Sequence, residues 1–217
     1  MLPAILFYTK VIMTIHSTAI PTGTVSLPSY TGHVSMLPFD LQTLAGLPAE
    51  FTQLVTSMLY GIKAVGTAYF TLHGRFLSAN DTLRRPGAHT DGNYEPCGWS
   101  NGGGNGWKIG ENGPAIDTQF HHDSYLVPTG GIILASSYPS CIGYIGDYSG
   151  TIGVGGDCRD VDLSTGQSFM LDADTIYYGN NHFIHESLPV ATDTHRVLAR
   201  ITLPQDHTYE PVYSISY

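Results

Sequence analysis

The sequence predicts a mainly β protein, a sandwich or jelly roll with one helix packed on its outside. Three observations carry that expectation. Only 12% of the 217 residues are charged while Gly, Tyr, Ser and Thr are plentiful, a balance that suits strands and turns rather than a helical bundle. Short apolar or alternating stretches recur between glycine-rich turns. One segment alone has the apolar spacing of a clear helix.

In chain order, "MLPAILFYTKVIM" is apolar but too short to cross a bilayer, and Lys10 interrupts it. It has no cationic start, so it makes a weak secretory signal and a better docking strand; Met13 is an alternative start. Residues 14–47 read as short strands and turns. The segment "LPAEFTQLVTSMLYGIKAVG" predicts a helix over about 48–65. Pro48 suits its first position, and Phe51, Leu54, Val55, Met58, Leu59 and Ile62 form one stripe, with Gly66 past the end. "TAYFTLHGRFL" alternates as a strand or hairpin with Gly74 near its turn, and "NDTLRRPGAHTDGNYE" reads as a strand then a loop. Residues 98–114 and 143–158 are glycine-rich and predict long loops, candidate lids over a site. "GGIILASSYPSC", "SFMLDADTIYYGNN", "FIHESL" and "HRVLARITL" complete the strands. The expected division is an extension with leading strands over 1–47 and a main domain over 48–217.

The formal net charge is −9, from 9 Lys and Arg against 18 Asp and Glu. That deficit argues against nucleic acid and against an anionic membrane surface as partners. Cys97, Cys141 and Cys158 are an odd set without a CxxC, which points to idle or buried thiols in a reducing, cytoplasmic setting. A Cys141–Cys158 bridge is the alternative for an exported chain.

Chemistry concentrates in a few residues. His89-Thr90-Asp91 places two side chains two apart, which on a strand share one side. With His185 from another strand they make two histidines and a carboxylate on one face of a metal. Such a set leaves coordination positions open, as in non-haem Fe(II) oxygenases. Arg196, Leu198, Arg200 and Thr202 share one side of a strand further on. A guanidinium directed into a β interior needs an anion, and its fork suits a carboxylate. A dicarboxylate spanning the metal and Arg196 satisfies both. Glu186 faces away from His185 and is not counted as a ligand. A second unit, His121-His122-Asp123, is the rival for the first pair, with His121 and Asp123 as ligands. Arg84 and Arg85 read as surface charges pairing with Asp or Glu, with substrate or co-substrate contacts as the alternative. Trp99, Trp107, Tyr144, Tyr148, Tyr177 and Tyr178 read mostly as packing, and the glycine loops match no phosphate-binding fingerprint.

"HTDG" at 89–92 and "HESLPV" at 185–190, with Arg196 eleven residues beyond His185, resemble the 2-oxoglutarate/Fe(II)-dependent oxygenases, in particular their prolyl-hydroxylase-like branch. The similarity spans roughly residues 84–204. It implies a double-stranded β-helix (jelly roll) with one or more supporting helices. It implies that His89, Asp91 and His185 hold Fe(II) and act in catalysis. Arg196 would bind the far carboxylate of 2-oxoglutarate, with Arg200 and Thr202 assisting it or touching substrate. The activity implied is hydroxylation of an unidentified small-molecule or protein substrate with O2, the co-substrate becoming succinate and CO2. The sequence departs from the family in the long path from Asp91 to His185. The chain is also similar, more faintly, to small proteins encoded by tailed phages. Jelly rolls build virus shells too. The alternative function is therefore a structural subunit of a virion, its N-terminal segment docking on a neighbour.

Overall fold

In a computed structural model of the chain, the described residues are 13–91, 130–153, 156–204 and 207–209. Thirteen strands occur among them: β1 (Met13–Ser17), β2 (Ala19–Thr24), β3 (Gly32–Asp40), β4 (Ile62–Ala64), β5 (Thr67–Leu77), β6 (Gly131–Ser136), β7 (Cys141–Thr151), β8 (Asp160–Asp162), β9 (Gln167–Met170), β10 (Thr175–Asn180), β11 (Ile184–Ser187), β12 (Thr194–Leu203) and β13 (His207–Tyr209). They form two principal antiparallel sheets. The larger has six strands in the order β2-β10-β6-β12-β5-β3, and the smaller runs β1-β7-β11 with β8 and β9 also paired to β7. β13 pairs with β4 separately.

The alternation of β12 explains the layering. Val197, Ala199, Ile201 and Leu203 join a core cluster with Phe51, Leu54, Val55 and Met58, so this face of the large sheet lies under the helix. Leu198 belongs to a different cluster with Leu134, Cys141, Tyr177 and Phe183, between the sheets. β6 splits the same way, Ile133 and Ala135 to the helix side, Ile132 and Leu134 to the interior. A strand buried on both faces reads as a near-continuous apolar run, which "GIILAS" is. Arg196, Arg200 and Thr202 therefore stand among interior side chains, at 0%, 5% and 1% exposure.

Several sequence expectations are corrected here. The helix is shorter than 48–65: a 3-10 turn at Ala49–Phe51 leads into α1, Thr52–Met58. Gly61 adopts φ +82, the left-handed value that ends helices, and Ile62 already belongs to β4. The apolar stripe therefore runs past the helix it was used to delimit. β5 continues straight through Gly74, which pairs with Val197 and Gly32 mid-strand instead of turning. Its missing side chain admits the backbone carbonyl of Tyr30. The expected strand at 80–88 is a series of turns and bends, and only His89 makes bridges. Much of the expected lid loop 143–158 is strand β7. Gly143 is there for space, since a Cβ would meet ring carbons of Phe169 and Phe183 at 2.9 Å. The other lid candidate, 98–114, lies outside the described residues, as do Cys97, Trp99 and Trp107.

Cys141 and Cys158 are both free, buried thiols. Among the described residues no helix is long and apolar enough to cross a membrane.

Candidate metal centre

His185 sits on β11, and backbone pairing delivers His89 to it. His89 N–H donates to the His185 carbonyl and His185 N–H to the His89 carbonyl, both at 2.9 Å. On the other side Thr90 N–H donates to Gly156 O and Cys158 N–H to Ala88 O. The His-x-Asp segment is thus held like a strand without extending beyond one bridged residue. Glu186, facing away as expected, accepts Gly87 N–H at 3.0 Å and the Tyr144 hydroxyl at 3.2 Å, clamping the turn that presents His89.

His89, Asp91 and His185 each offer one ligand atom, and these atoms lie within 4.8 Å of one another; all three residues are buried. This triad could hold a metal ion. Both imidazoles are turned for that purpose. His89 Nδ1 lies 2.9 Å from Gly87 O and His185 Nδ1 lies 3.2 Å from Phe183 O. A carbonyl only accepts, so each Nδ1 carries a proton, and each ring turns its Nε2 away from that carbonyl. His185 Nε2 then faces Asp91 Oδ2 at 3.2 Å. Two lone-pair atoms that close need a cation between them, a proton or a metal. The Phe183 ring stacks on His185 at 5.3 Å between centroids and fixes its plane.

Burial and the neighbouring His185 push the His89 pKa down to about 3, so this ring is neutral over the ordinary pH range, as a ligand must be. Burial alone would raise the Asp91 pKa. The Arg200 charge and then His185 overcome that and hold the carboxyl well below the usual range. Arg200 Nη1 meets Asp91 Oδ2 at 2.5 Å. Its Nη2 has only the Met36 thioether at 3.3 Å, and its Nε has no hydrogen-bond partner. Met36 reaches that place from a bulge in β3, with φ +49.

Arg196 is the most deeply buried cation described. Nε donates to Ser136 Oγ at 3.1 Å and Nη1 to Ser187 Oγ at 2.9 Å, while Nη2 has no partner. No carboxylate pairs with it among the described residues, and burial lowers its pKa. The triad borders an interior cavity of about 10 Å³, roughly the space of one water, walled further by Arg84, Leu134, Cys141, Ser187, Leu198 and Arg200. Burial pushes the Cys141 thiol up to about 12, so it lines the cavity as a neutral group and not as a thiolate ligand.

The structure therefore brings His89, Asp91 and His185 together, with Arg200 on Asp91. Arg196 reaches the cavity wall through Ser187. Thr202 turns to Met36 Sδ, at 4.0 Å. His121 and Asp123 lie outside the described residues. Half-buried Arg84 lines the cavity, where the alternative reading placed it, and not simply the surface. The sequence argument missed Ser187, Ser136, Cys141 and Met36. Ser187 was within reach, being two residues past His185 on the same strand face; the other three depend on pairing between distant strands. No family model, curated protein or solved structure matches this chain.

Proposed function

We propose that this chain is an Fe(II)- and 2-oxoglutarate-dependent oxygenase built on a double-stranded β-helix. Among the described residues the chain from β5 on passes repeatedly between the sheets, which supports that winding: β5 lies in the large one, His89 bridges to the small one, β6 is large, β7, β8 and β9 are small, β10 large, β11 small and β12 large. The observation that carries the functional reading is Arg196, a fully buried guanidinium with an unpartnered Nη2, set in the same interior as a His-Asp-His triad. A buried cation without an anion costs several kcal/mol. A diacid anchored at the metal would supply the missing partner.

His89, Asp91 and His185 would hold the metal, whose two-nitrogen, one-oxygen donor set suits Fe(II) with open positions. When bound, iron and co-substrate supply the power to oxidise a C–H bond with O2. The chain's own residues bind and orient. Ser136 and Ser187 aim the Arg196 fork, leaving Nη2 for a carboxylate oxygen. Leu134 and Leu198 keep bulk water from the cavity. Glu186 holds the His89 turn from the outer side. A cavity of about 10 Å³ does not admit a five-carbon diacid, so loading moves a side chain.

Anaerobic Fe(II) with 2-oxoglutarate should give the weak visible charge-transfer band of the chelate. 2-Oxoglutarate should raise the melting temperature only when metal is present. His185→Ala and His89→Ala should each abolish both effects. Loss in His121→Ala with retention in His89→Ala would overturn the ligand assignment. Retention of the band in His185→Ala would overturn the proposal.

A further inference from the structure

A second group of polar side chains lies on the inner face of the large sheet and has no part in the triad. His33 on β3 pairs in register with His73 on β5, and their ring centroids lie 4.6 Å apart with the planes tilted by 31°. His73 in turn pairs with Leu198, which walls the metal cavity. His33 is exposed and His73 half-buried, so the pair makes a path from solvent toward the centre. His73 Nδ1 is buried without a hydrogen-bond partner.

The charges around this pair have one sign. Arg84 and Arg200 act on His33, and Arg84, Arg75 and Arg196 act on His73, with no carboxylate of the described residues among the charges felt by either ring. These are four of the nine Lys and Arg in a chain with 18 Asp and Glu. Burial first, and then these cations, lower both pKa values, His73 to about 4. Both rings are therefore neutral N–H donors near neutral pH. Charge balance points the same way. A divalent metal and a dianionic co-substrate cancel each other, which leaves Asp91 to offset only one of the two buried arginines. Among the described residues one buried positive charge then lacks an anionic partner.

We propose that the substrate of this site is an organic anion, whose carboxylate or phosphate group docks between the His33–His73 pair and the Nε side of Arg200. The inference rests on the oxygenase reading and names its substrate class. The co-substrate has Arg196 for its far carboxylate, and the histidine pair lies beyond Leu198 on β3 and β5. The two anions thus have separate partners. An acidic handle there would hold the rest of the molecule beside the metal, as remote binding groups do in positioning a reacting bond.

The test uses the full chain loaded with Zn(II), which supports no turnover, and with 2-oxoglutarate, each binding step being measured by calorimetry. Inorganic sulfate is then titrated near neutral pH while the histidine Cε1–H signals are followed by NMR. The expected result is saturable movement of the His33 and His73 signals with 2-oxoglutarate still bound. His33→Phe/His73→Phe should weaken sulfate about tenfold or more and leave Zn(II) and 2-oxoglutarate binding unchanged. His33→Phe alone, at an exposed position, is the fallback should the double variant not fold. Absence of sulfate binding, sulfate binding that expels 2-oxoglutarate, or unchanged sulfate binding in the variants would overturn the inference and spare the oxygenase reading. Failure of Zn(II) or 2-oxoglutarate to bind would overturn both.

Discussion

Replacing Arg196 by methionine separates a structural strut from a co-substrate anchor, because the two roles predict opposite results. The wild-type guanidinium is 0% exposed, gives hydrogen bonds to two serine hydroxyls and has no carboxylate partner among the described residues. Loss of those two bonds costs about 1 kcal/mol each. Ser136 Oγ still donates to Tyr138 O at 2.9 Å, so one hydroxyl keeps a partner. Against that, removal of an uncompensated buried charge returns several kcal/mol, and apolar replacements of buried ionic groups are often neutral or stabilising by about 1–4 kcal/mol. The ligand-free Arg196→Met protein should therefore unfold at an equal or higher denaturant concentration. Binding of 2-oxoglutarate should suffer instead. Loss of one partner of a buried charged pair costs about 2–5 kcal/mol, a roughly 30-fold to several-thousand-fold rise in Kd. Arg196→Lys, which keeps the charge but not the fork, should fall between. Urea titration without ligand and calorimetry with metal present give the two readings. A ligand-free loss above about 3 kcal/mol with unchanged 2-oxoglutarate affinity would refute the argument.

Two further outcomes follow from the same structure. Gly143→Ala puts a methyl 2.9 Å from ring carbons of Phe169 and Phe183, and should destabilise by about 1–3 kcal/mol. Because Phe183 stacks on His185, metal affinity measured by competition with a chelator should fall as well. Acid should destabilise the metal-free protein. His89 and His73 are held down to about 3 and about 4 from 6.5, so below pH 6.5 the unfolded chain takes up protons first. Their stabilisation is full above 6.5 and falls as pH drops toward those values; Asp91, depressed below 3.8, loses its share further down. Denaturant midpoints should fall steadily between about pH 7 and pH 4.5, and less steeply in His89→Phe; a rise would contradict the burial argument.

What could be read in the sequence was what depends on local spacing. Alternation in "HRVLARITL" sorted Arg196, Leu198, Arg200 and Thr202 from Val197, Ala199 and Ile201, and the two core clusters divide at that point. The His-x-Asp spacing with a distant histidine located the triad. What escaped depends on partners far away in the chain. The glycines of 143–150 look like loop residues until Phe169, Phe183 and the backbone of Asp160 are seen to require their bare backbone. The helix was overdrawn because Leu59 and Ile62 keep the apolar rhythm, while Gly61 alone carries the stop. Met36 on Arg200 needs both a bulge in β3 and the register of β5 with β12, neither of which has a local signature.

The division of labour between the sheets gives Arg200 its meaning. The small sheet and the His89 bridge carry the histidine donors, with Asp91 two residues beyond, and β12 of the large sheet brings the cations. Asp91 Oδ2 meets both His185 Nε2 and the Arg200 guanidinium. Arg200 thus takes the place a divalent ion would have in the local charge balance. A metal held by Asp91 would take over that role while the guanidinium stays in the interior, where Met36 Sδ lies 3.3 Å from its Nη2. Under the oxygenase proposal the same cation would serve twice: it keeps the Asp91 carboxyl ionised for a metal, and, relieved of Asp91 by that metal, its guanidinium would be free to meet an incoming anion.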